Sequence, residues 1–356
     1  MNMDYIMSEI INDFESKHTA GSKARTDIET ILSNNGFNIL TVINEKYDNG
    51  SMLHKIKHHY NVYKNWIKVI YDLKENDVVL IQFPLMNSTI FISRILRYIR
   101  KKKAKSIIVI HDLESLRIMN RHDVSKQAKI RLFLEEKMGL KECDAIIAHN
   151  SEMIKILRKT YSNKTIVNLE IFDYLVKDNS KYANASYKEN IVIAGNLSKI
   201  KSKYIYSLPG NVSFNLYGIN YEKDNRNNIN YQGSFDAEEI YMHLSGSFGL
   251  IWDGDTIETC SGNYGEYLKY NNPHKTSLYI ASGLPIIIWK EAALAKYVKE
   301  NNLGICVENL NDINKILEKL TNEDYESYKN NTINASKKLR NGYYILNAIQ
   351  KVKDLL

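Results

Sequence analysis

The stretch NNPHKTSLYIASGLPIIIW, Asn271–Trp289, opens with a proline and a histidine–lysine pair, turns small and apolar, and ends as a buried strand. A lysine at the start of a helix is disfavoured by the macrodipole, so its presence there asks for a partner. Pro273 suits the position just before a helix or in its first turn. Lys275, Thr276 and Ser277 then lie at a helix N-terminus, where free backbone N–H groups bind anions. Lys275 adds a point charge, Thr276 or Ser277 a hydroxyl donor, and the ligand that wants all three is a phosphate. The competing reading is a capped helix with a solvated lysine. A second group stands in HDLES: His111, Asp112 and Glu114 follow an apolar run and emerge at a strand's carboxyl end, where any of them could accept a proton. Here too a structural reading competes, with Asp112 capping the next helix and His111 a hydrogen-bonded core residue. His149 ends a later strand and is a further candidate. No GxSxG, HExxH, Walker loop, paired CxxC or Rossmann GxGxxG occurs, so serine, zinc and NAD chemistry have no support.

These residues need a scaffold, and the hydropathy pattern supplies one. DVVLIQFP (77–84), KSIIVIHD (105–112), DAIIAHN (144–150) and KTIVNLEIF read as buried strands. Helical patterns separate them, one with Ile92, Ile95, Leu96 and Ile99 on a face, one spanning 125–140 and rich in Lys and Glu, one starting with Ser151 as N-cap. YIMSEI is a weaker first strand; the helix after it carries Ala24, Ile28, Ile31 and Leu32 on one face and Gly36 at its C-cap. Residues 176–189 are polar and aperiodic and read as a linker. The rhythm then restarts with strands at 190–196, 212–218, INYQGSF, 247–255, LPIIIW and GICVEN, and with helices at AEEIYMHLSG and EAALAKYVKENN; from about Glu323 onward the chain reads as helical. Doubly apolar strands alternating with helices indicate parallel sheets covered on both faces. The domains expected are 1–178, 190–335, and a C-terminal helix, 336–356, packing back on the first. Two open α/β halves imply a cleft, with ligands beyond the strands' carboxyl ends.

At 356 residues the chain is long enough for two cores. A net charge of +7 is a mild bias. Cys143, Cys260 and Cys306 are scattered, which argues against structural zinc and for a reducing compartment. No apolar window is long enough to cross a membrane, and the first residues lack a signal-peptide pattern, so a cytoplasmic location is expected. RYIRKKKAK (97–105) is the one dense basic block. It lacks interleaved aromatics beyond Tyr98, which gives nucleic-acid binding little support. Its cations suit a helix C-terminus; the alternative is peripheral docking on an anionic inner membrane face.

Two parallel α/β halves, together with AGSKARTDIETILSNNGF, IVIHDLESLR, VNLEIFDYL, IVIAGNLSK, FGLIWDGD and YNNPHKTSLYIASGLPIII, resemble a bacterial branch of the GT-B glycosyltransferases along nearly the whole chain. That branch holds galactofuranosyltransferases of surface polysaccharide synthesis and the glucosyltransferases of serine-rich adhesins. The resemblance implies two Rossmann-like parallel-sheet domains facing a central cleft, a UDP-sugar donor, a glycan, glycolipid or glycoprotein acceptor, and no obligatory metal or other cofactor. Galactofuranose or glucose is the expected sugar, moved with inversion. Lys275, Thr276 and Ser277 would then stabilise the leaving diphosphate. Asn196 and Lys199, after AGN, would approach the diphosphate, and the backbone of Tyr217 and Gly218 the uracil. Asp253 of WDGD would touch the donor sugar; with Asp255 it forms a D-x-D that holds metal in another glycosyltransferase fold, a reading discounted here. The long loop after it, with Glu258 and Tyr264, is a lid or a surface insertion. Gly21, Ser22, Lys23 and Arg25 would line the cleft's acceptor side, or simply cap a helix and be solvated. Asp112 is the favoured base, with Glu114 and His111 as substitutes. A UDP-sugar 2-epimerase and a non-catalytic partner subunit of a transferase are the rival readings. A homo-oligomer is left open.

Overall fold

The computed structural model describes residues 3–12, 20–46, 51–119 and 124–356, with the side chains of residues 20, 21 and 52 left out. The chain forms two units. Within the described residues, one holds Met1–Lys17, Ile28–Leu169 and Leu346–Leu356, and the other His18–Asp27 and Glu170–Ile345.

The first unit is a six-stranded parallel sheet: β1 (Asp4–Ile11), β2 (Asn38–Asn44), β3 (Val78–Phe83), β4 (Lys105–Ile110), β5 (Ala145–Ala148) and β6 (Thr165–Asn168), in the order β2-β1-β3-β4-β5-β6. The inner strands are the continuous apolar runs, because helices cover both faces of a parallel sheet. Helix α1 (Ala20–Ser33) belongs to this unit from Ile28 onward and there buries Ile28, Ile31 and Leu32; Ala24, also buried, falls in the other unit. Helix α2 (Met52–Val69) closes the β2–β3 connection and buries Val62 and Trp66. Helix α3 (Ile92–Lys101) buries Ile92, Ile95, Leu96 and Ile99, each worth about 1.5–3 kcal/mol. Helix α4 (Ser151–Thr160) is capped by Asn150, whose side chain accepts from the N–H groups of Glu152 and Met153, so Ser151 is its first residue and not its cap.

The second unit's sheet is also parallel: β7 (Ile191–Asn196), β8 (Phe214–Ile219), β9 (Ile229–Gly233), β10 (Gly249–Ile251), β11 (Ile286–Trp289) and β12 (Gly304–Val307), in the order β9-β8-β7-β10-β11-β12. Chain order runs outward from β7 in both directions, so the β7/β10 pair is the topological switch point, where ligands of open α/β sheets bind. Helix α5 (His274–Ala281) is pinned across that pair. Gly249 leaves room for the Tyr279 ring, which a Cβ there would meet at 2.3 Å, and the Tyr279 hydroxyl accepts the Ala194 N–H at 2.7 Å. AEEIYMHLSG forms a single helical turn, Ile240–His243. The expected linker is tied down: Arg340 donates to the carbonyls of Asn179, Lys181 and Ala281. The stretch from about Glu323 onward is helical as expected, in two helices, α6 (Asn322–Leu339) and α7 (Tyr343–Leu355), with the break at Gly342, φ +74°, rather than near residue 336. Within the first unit, Lys353 of α7 pairs with Asp4 and lies over the Phe37 ring.

Candidate functional site

In the second unit β10 runs into Trp252 and Asp253, and α5 begins with His274 and Lys275. The Lys275 Nζ donates to the Trp252 carbonyl at 2.6 Å and to Asp253 Oδ1 at 2.9 Å. Both side chains are nearly enclosed, at 14 % and 9 % exposure. Burial depresses the Lys275 pKa, Asp253 opposes that shift, and the nearby charge of Lys201 deepens it. An ammonium has three donors, so one remains for a ligand oxygen. A lysine enclosed beside a helix N-terminus, at the switch point, is the arrangement an anion would complete.

The neighbouring residues have other duties. Thr276 is fully buried and its hydroxyl has no hydrogen-bond partner, whereas Ser277 is committed to its own unit, donating to the Phe172 carbonyl at 2.7 Å. Lys199 is exposed and pairs with Glu222 at 2.6 Å; the lysine near Lys275 is Lys201, whose carbonyl accepts the Gly254 N–H. Asn196 Oδ1 accepts from the Ser198 N–H and from Asn220, which ties its own loop. The Tyr217 hydroxyl accepts the Ser245 N–H, and the Gly218 carbonyl accepts from Tyr231. Gly218 is glycine because β7 passes so close: a Cβ there would sit 1.8 Å from the Gly195 oxygen. The segment after Asp253 is folded, with a helix at Gly262–Tyr267 and the Trp252 indole donating to Thr256. Among the described residues no three His, Cys, Asp or Glu side chains converge as a metal site, Asp253 and Asp255 included.

Gly21, Ser22, Lys23 and Arg25 lie inside the first turns of α1 rather than ahead of it. Lys23 is buried, neither solvated nor open to a ligand. It pairs with Asp27 at 2.9 Å and Glu238 at 3.1 Å and lies over the Tyr174 ring. Burial raises the Asp27 pKa to about 6 against the pull of Lys23. His274 stacks on Tyr174, and burial, then Lys23, lowers its pKa to about 3.

In the first unit HDLES leaves β4 beside a cavity of about 380 Å³. Asp112, Glu114, Arg117, Arg131, Glu135 and Glu136 line it, with His58 and His59 from α2. Asp112 Oδ2 pairs with Arg117 at 3.0 Å, and Glu114 with Arg131 at 2.8 Å. Asp112 does not cap the following turn, Glu114–Arg117. Glu136 does that from another helix, accepting the Ser115 N–H at 3.2 Å. Burial lifts the Glu136 pKa to about 7 and raises that of Glu135. His111 Nε2 lies 2.8 Å from Gln82 Oε1, and Gln82 in turn donates to Glu29 at 2.9 Å. That chain assigns the His111 proton to Nε2. His149 is a core histidine: its Nε2 donates to the Ile110 carbonyl, and burial lowers its pKa to about 4. A larger cavity, about 480 Å³, opens at the amino ends of β5 and β6, lined by Arg100, Asp144 and Lys164, away from these residues.

Residues 5–171 match the glucosyltransferase 3-like N-terminal domain and residues 191–352 its C-terminal domain. The chain belongs to the glucosyltransferase 3-like family. It is 35 % identical to the β-1,6-galactofuranosyltransferase WbbI of Escherichia coli K12, over 97 % of this chain and 98 % of that one. Glucosyltransferase 3 of Streptococcus gordonii is 24 % identical over 78 % and 80 % of the two chains. Among solved structures, a sucrose-phosphate synthase from Thermosynechococcus elongatus superposes with a TM-score of 0.63 at 12 % identity, covering 100 % and 99 % of the two chains. The glycosyltransferase AviGT4 superposes at 0.53, with 9 % identity and 99 % and 96 % coverage. The fold class is GT-B, and this glucosyltransferase 3-like chain is a hexosyl-transferring glycosyltransferase.

Of the residues gathered in these two places, sequence reasoning had singled out Lys275, Asp253, Asp112 and Glu114. It passed over Lys201, Arg117, Arg131, His58, His59, Glu135 and Glu136. Nothing in the pattern of FLEEK distinguishes its acids, which the structure buries along with Leu132 and Leu140.

Proposed function

We propose that the protein transfers galactofuranose or glucose from a UDP-sugar to a hydroxyl of a glycan, glycolipid or glycoprotein, with inversion and without an obligatory metal. The observation that carries this is the enclosed Lys275–Asp253 pair at the β7/β10 switch point, with a donor to spare. In the reaction the acceptor oxygen bonds to the anomeric carbon, its proton passes to Asp112, and the bond to the β-phosphate breaks, leaving its electrons on UDP. Lys275, the α5 N-terminus and Lys201 would stabilise that leaving charge. WbbI is named a galactofuranosyltransferase at 35 % identity, and the streptococcal relative a glucosyltransferase. Galactofuranose is therefore the first donor to try. Both are transferases, which favours transfer over epimerisation or a non-catalytic partner role.

The test is a thermal-shift panel of nucleotides followed by donor turnover. UDP at about 100 times its Kd should raise stability by about 2.7 kcal/mol. No response to UDP, with response to another nucleotide, would overturn the donor class. Membrane docking by 97–105 draws less support from its surroundings. Arg97 and Arg100 turn to Glu142, Lys103 pairs with Glu75, and Lys102 covers Tyr71.

A further inference from the structure

Helix α2 is tied down on one side. Val62 and Trp66 are buried there, and the His59 carbonyl accepts from the Thr89 hydroxyl at 2.9 Å, which fixes that side to the segment ahead of α3. Each residue turns a helix by about 100°, so Leu53, Ile56, Lys57, Tyr60 and Lys64 share an arc of about 100° opposite Val62. All five are exposed, Leu53 at 79 %, Ile56 at 46 % and Tyr60 at 48 %. Scattered exposed apolar residues need no explanation, but a stripe at i, i+3 and i+7 does.

The charge around this stripe has one sign. Met52–Val69 contains four lysines, three histidines and no acid. Lys57, Lys64 and Lys68 run along one edge of the stripe, exposed and without a carboxylate partner among the described residues. The Lys64 ammonium lies over the Tyr60 ring at 5.9 Å. Along the other edge the Phe91 ring meets Tyr60 and Tyr63 edge-on, with centroids 6.4 and 5.9 Å away, and the exposed Arg94 guanidinium lies over Phe91 at 4.9 Å. Arg97 and Arg100, farther along α3, are spent on Glu142, whereas Arg94 has no such partner among the described residues. Aromatic rings carrying cations, beside bare aliphatic side chains, make up a segment suited to a lipid–water boundary.

We propose that the outer face of α2 seats the protein on an anionic phospholipid bilayer, with Leu53, Ile56 and Tyr60 entering the headgroup boundary and Lys57, Lys64, Lys68 and Arg94 meeting lipid phosphates. The inference goes beyond the transferase reading and stands without it. A second copy of the chain in a twofold contact would set this face against itself, cation against cation. A nucleic acid would answer the cations and leave Leu53 and Ile56 uncovered. A bilayer answers both. The helix is not apolar enough to cross a membrane, and it lies along the boundary with its inner side on the protein.

The experiment is sedimentation of the full-length chain with vesicles of phosphatidylcholine, alone or mixed equally with phosphatidylglycerol. At about 0.1 M salt, where the Debye length is about 10 Å, the chain should partition about tenfold or more in favour of the anionic vesicles. Most of that binding should vanish at about 1 M, where the length is about 3 Å. Each lysine near an anionic leaflet is worth about fivefold, so Lys57→Gln with Lys64→Gln should weaken partition about 25-fold. Leu53→Ser with Ile56→Ser should weaken it about tenfold or more. Both pairs are exposed, so both variants should melt as wild type does. Lys101, Lys102 and Lys103 all changed to Gln should weaken it less than either. No preference for anionic vesicles, or unchanged partition by the Leu53/Ile56 variant, would overturn the proposal. If the triple variant loses binding while the α2 variants keep it, docking belongs to 97–105 and the proposal fails. It fails too if vesicles are ignored and the Leu53/Ile56 variant dissociates an oligomer in ultracentrifugation, which would make this face a contact between copies.

Discussion

Replacing Lys275 by methionine removes a charge without leaving a hole, and its consequences separate two roles. The pair with Asp253 is nearly enclosed, so the variant leaves a buried carboxylate without its counterion. Breaking a buried pair from one side costs about 3–5 kcal/mol, so the single variant should melt well below wild type. The donor reserved for a diphosphate also disappears. A charge-assisted hydrogen bond is worth about 1.5–3 kcal/mol, or about 10–150-fold in UDP affinity. Adding Asp253→Asn removes the stranded charge, so Lys275→Met with Asp253→Asn should regain over half of the lost stability and none of the UDP affinity. Asp253→Asn alone should keep UDP affinity at or above wild type, since a negative charge leaves an anion site and an amide oxygen still accepts from Lys275. Calorimetric titration of UDP and thermal melts on all four proteins decide the matter. If the double variant binds UDP like wild type, Lys275 is a structural lysine and the phosphate assignment is wrong. If Asp253→Asn weakens UDP as much as Lys275→Met does, Asp253 itself touches the donor.

Asp112→Asn keeps the shape of the cavity wall and removes the proton acceptor. Transfer rate should fall about 10²–10⁴-fold with UDP affinity unchanged, and near-normal turnover would shift the role to Glu114 or His111. Gly218→Ala would drive a Cβ to 1.8 Å from the Gly195 carbonyl at φ +149°, so we expect a loss of about 3 kcal/mol by denaturant melt. A loss under 1 kcal/mol would show that β7 and β8 can separate cheaply. Asp173 accepts the Tyr344 and Ile345 N–H groups at the start of α7, and burial, the larger influence, lifts its pKa to about 7. A raised carboxyl pKa means the folded state holds the proton longer, so this group's stabilisation is full below about pH 4 and fades as pH climbs to about 7. Asp173→Asn should therefore flatten the fall in melting temperature across that window relative to wild type, and parallel curves would refute the linkage.

The fold was legible where burial is two-sided. Val78–Phe83 and Lys105–Ile110 are uninterrupted apolar runs because helices cover both faces of their sheet. The edge strand Asn38–Asn44 escaped notice because it exposes Ile39 and Ile43, which blurs its pattern, and the helix after it went with it. The position of Lys275 was legible from Pro273, since a helix start needs only local chemistry. The fates of Thr276 and Ser277 were not, because each residue turns the helix by about 100° and the partner that claims Ser277 lies at Phe172, distant in sequence. Lys199 and Lys201 are indistinguishable in LSKIKSK. Only the backbone bond from Gly254 to the Lys201 carbonyl decides which one stands near Lys275. Glu135 and Glu136 stand in a run read only as a helix rich in Lys and Glu, and composition does not show that the π turn Phe133–Lys137 buries both.

The two places also differ in what they leave unfinished, and the difference fits the ligands proposed for them. A diphosphate only accepts hydrogen bonds, so its site must be built of donors. Lys275 keeps one N–H uncommitted while Asp253 and the Trp252 carbonyl hold the other two, which keeps the ammonium in place at the edge of β10 before any ligand arrives. A sugar hydroxyl can donate, so its site can be built of acceptors. Asp112 keeps one oxygen uncommitted while Arg117 holds the other. In both places one part of a polar group is fixed by the protein and the rest is left for the substrate. That division lowers the ordering cost of binding, since the side chain has already lost its freedom.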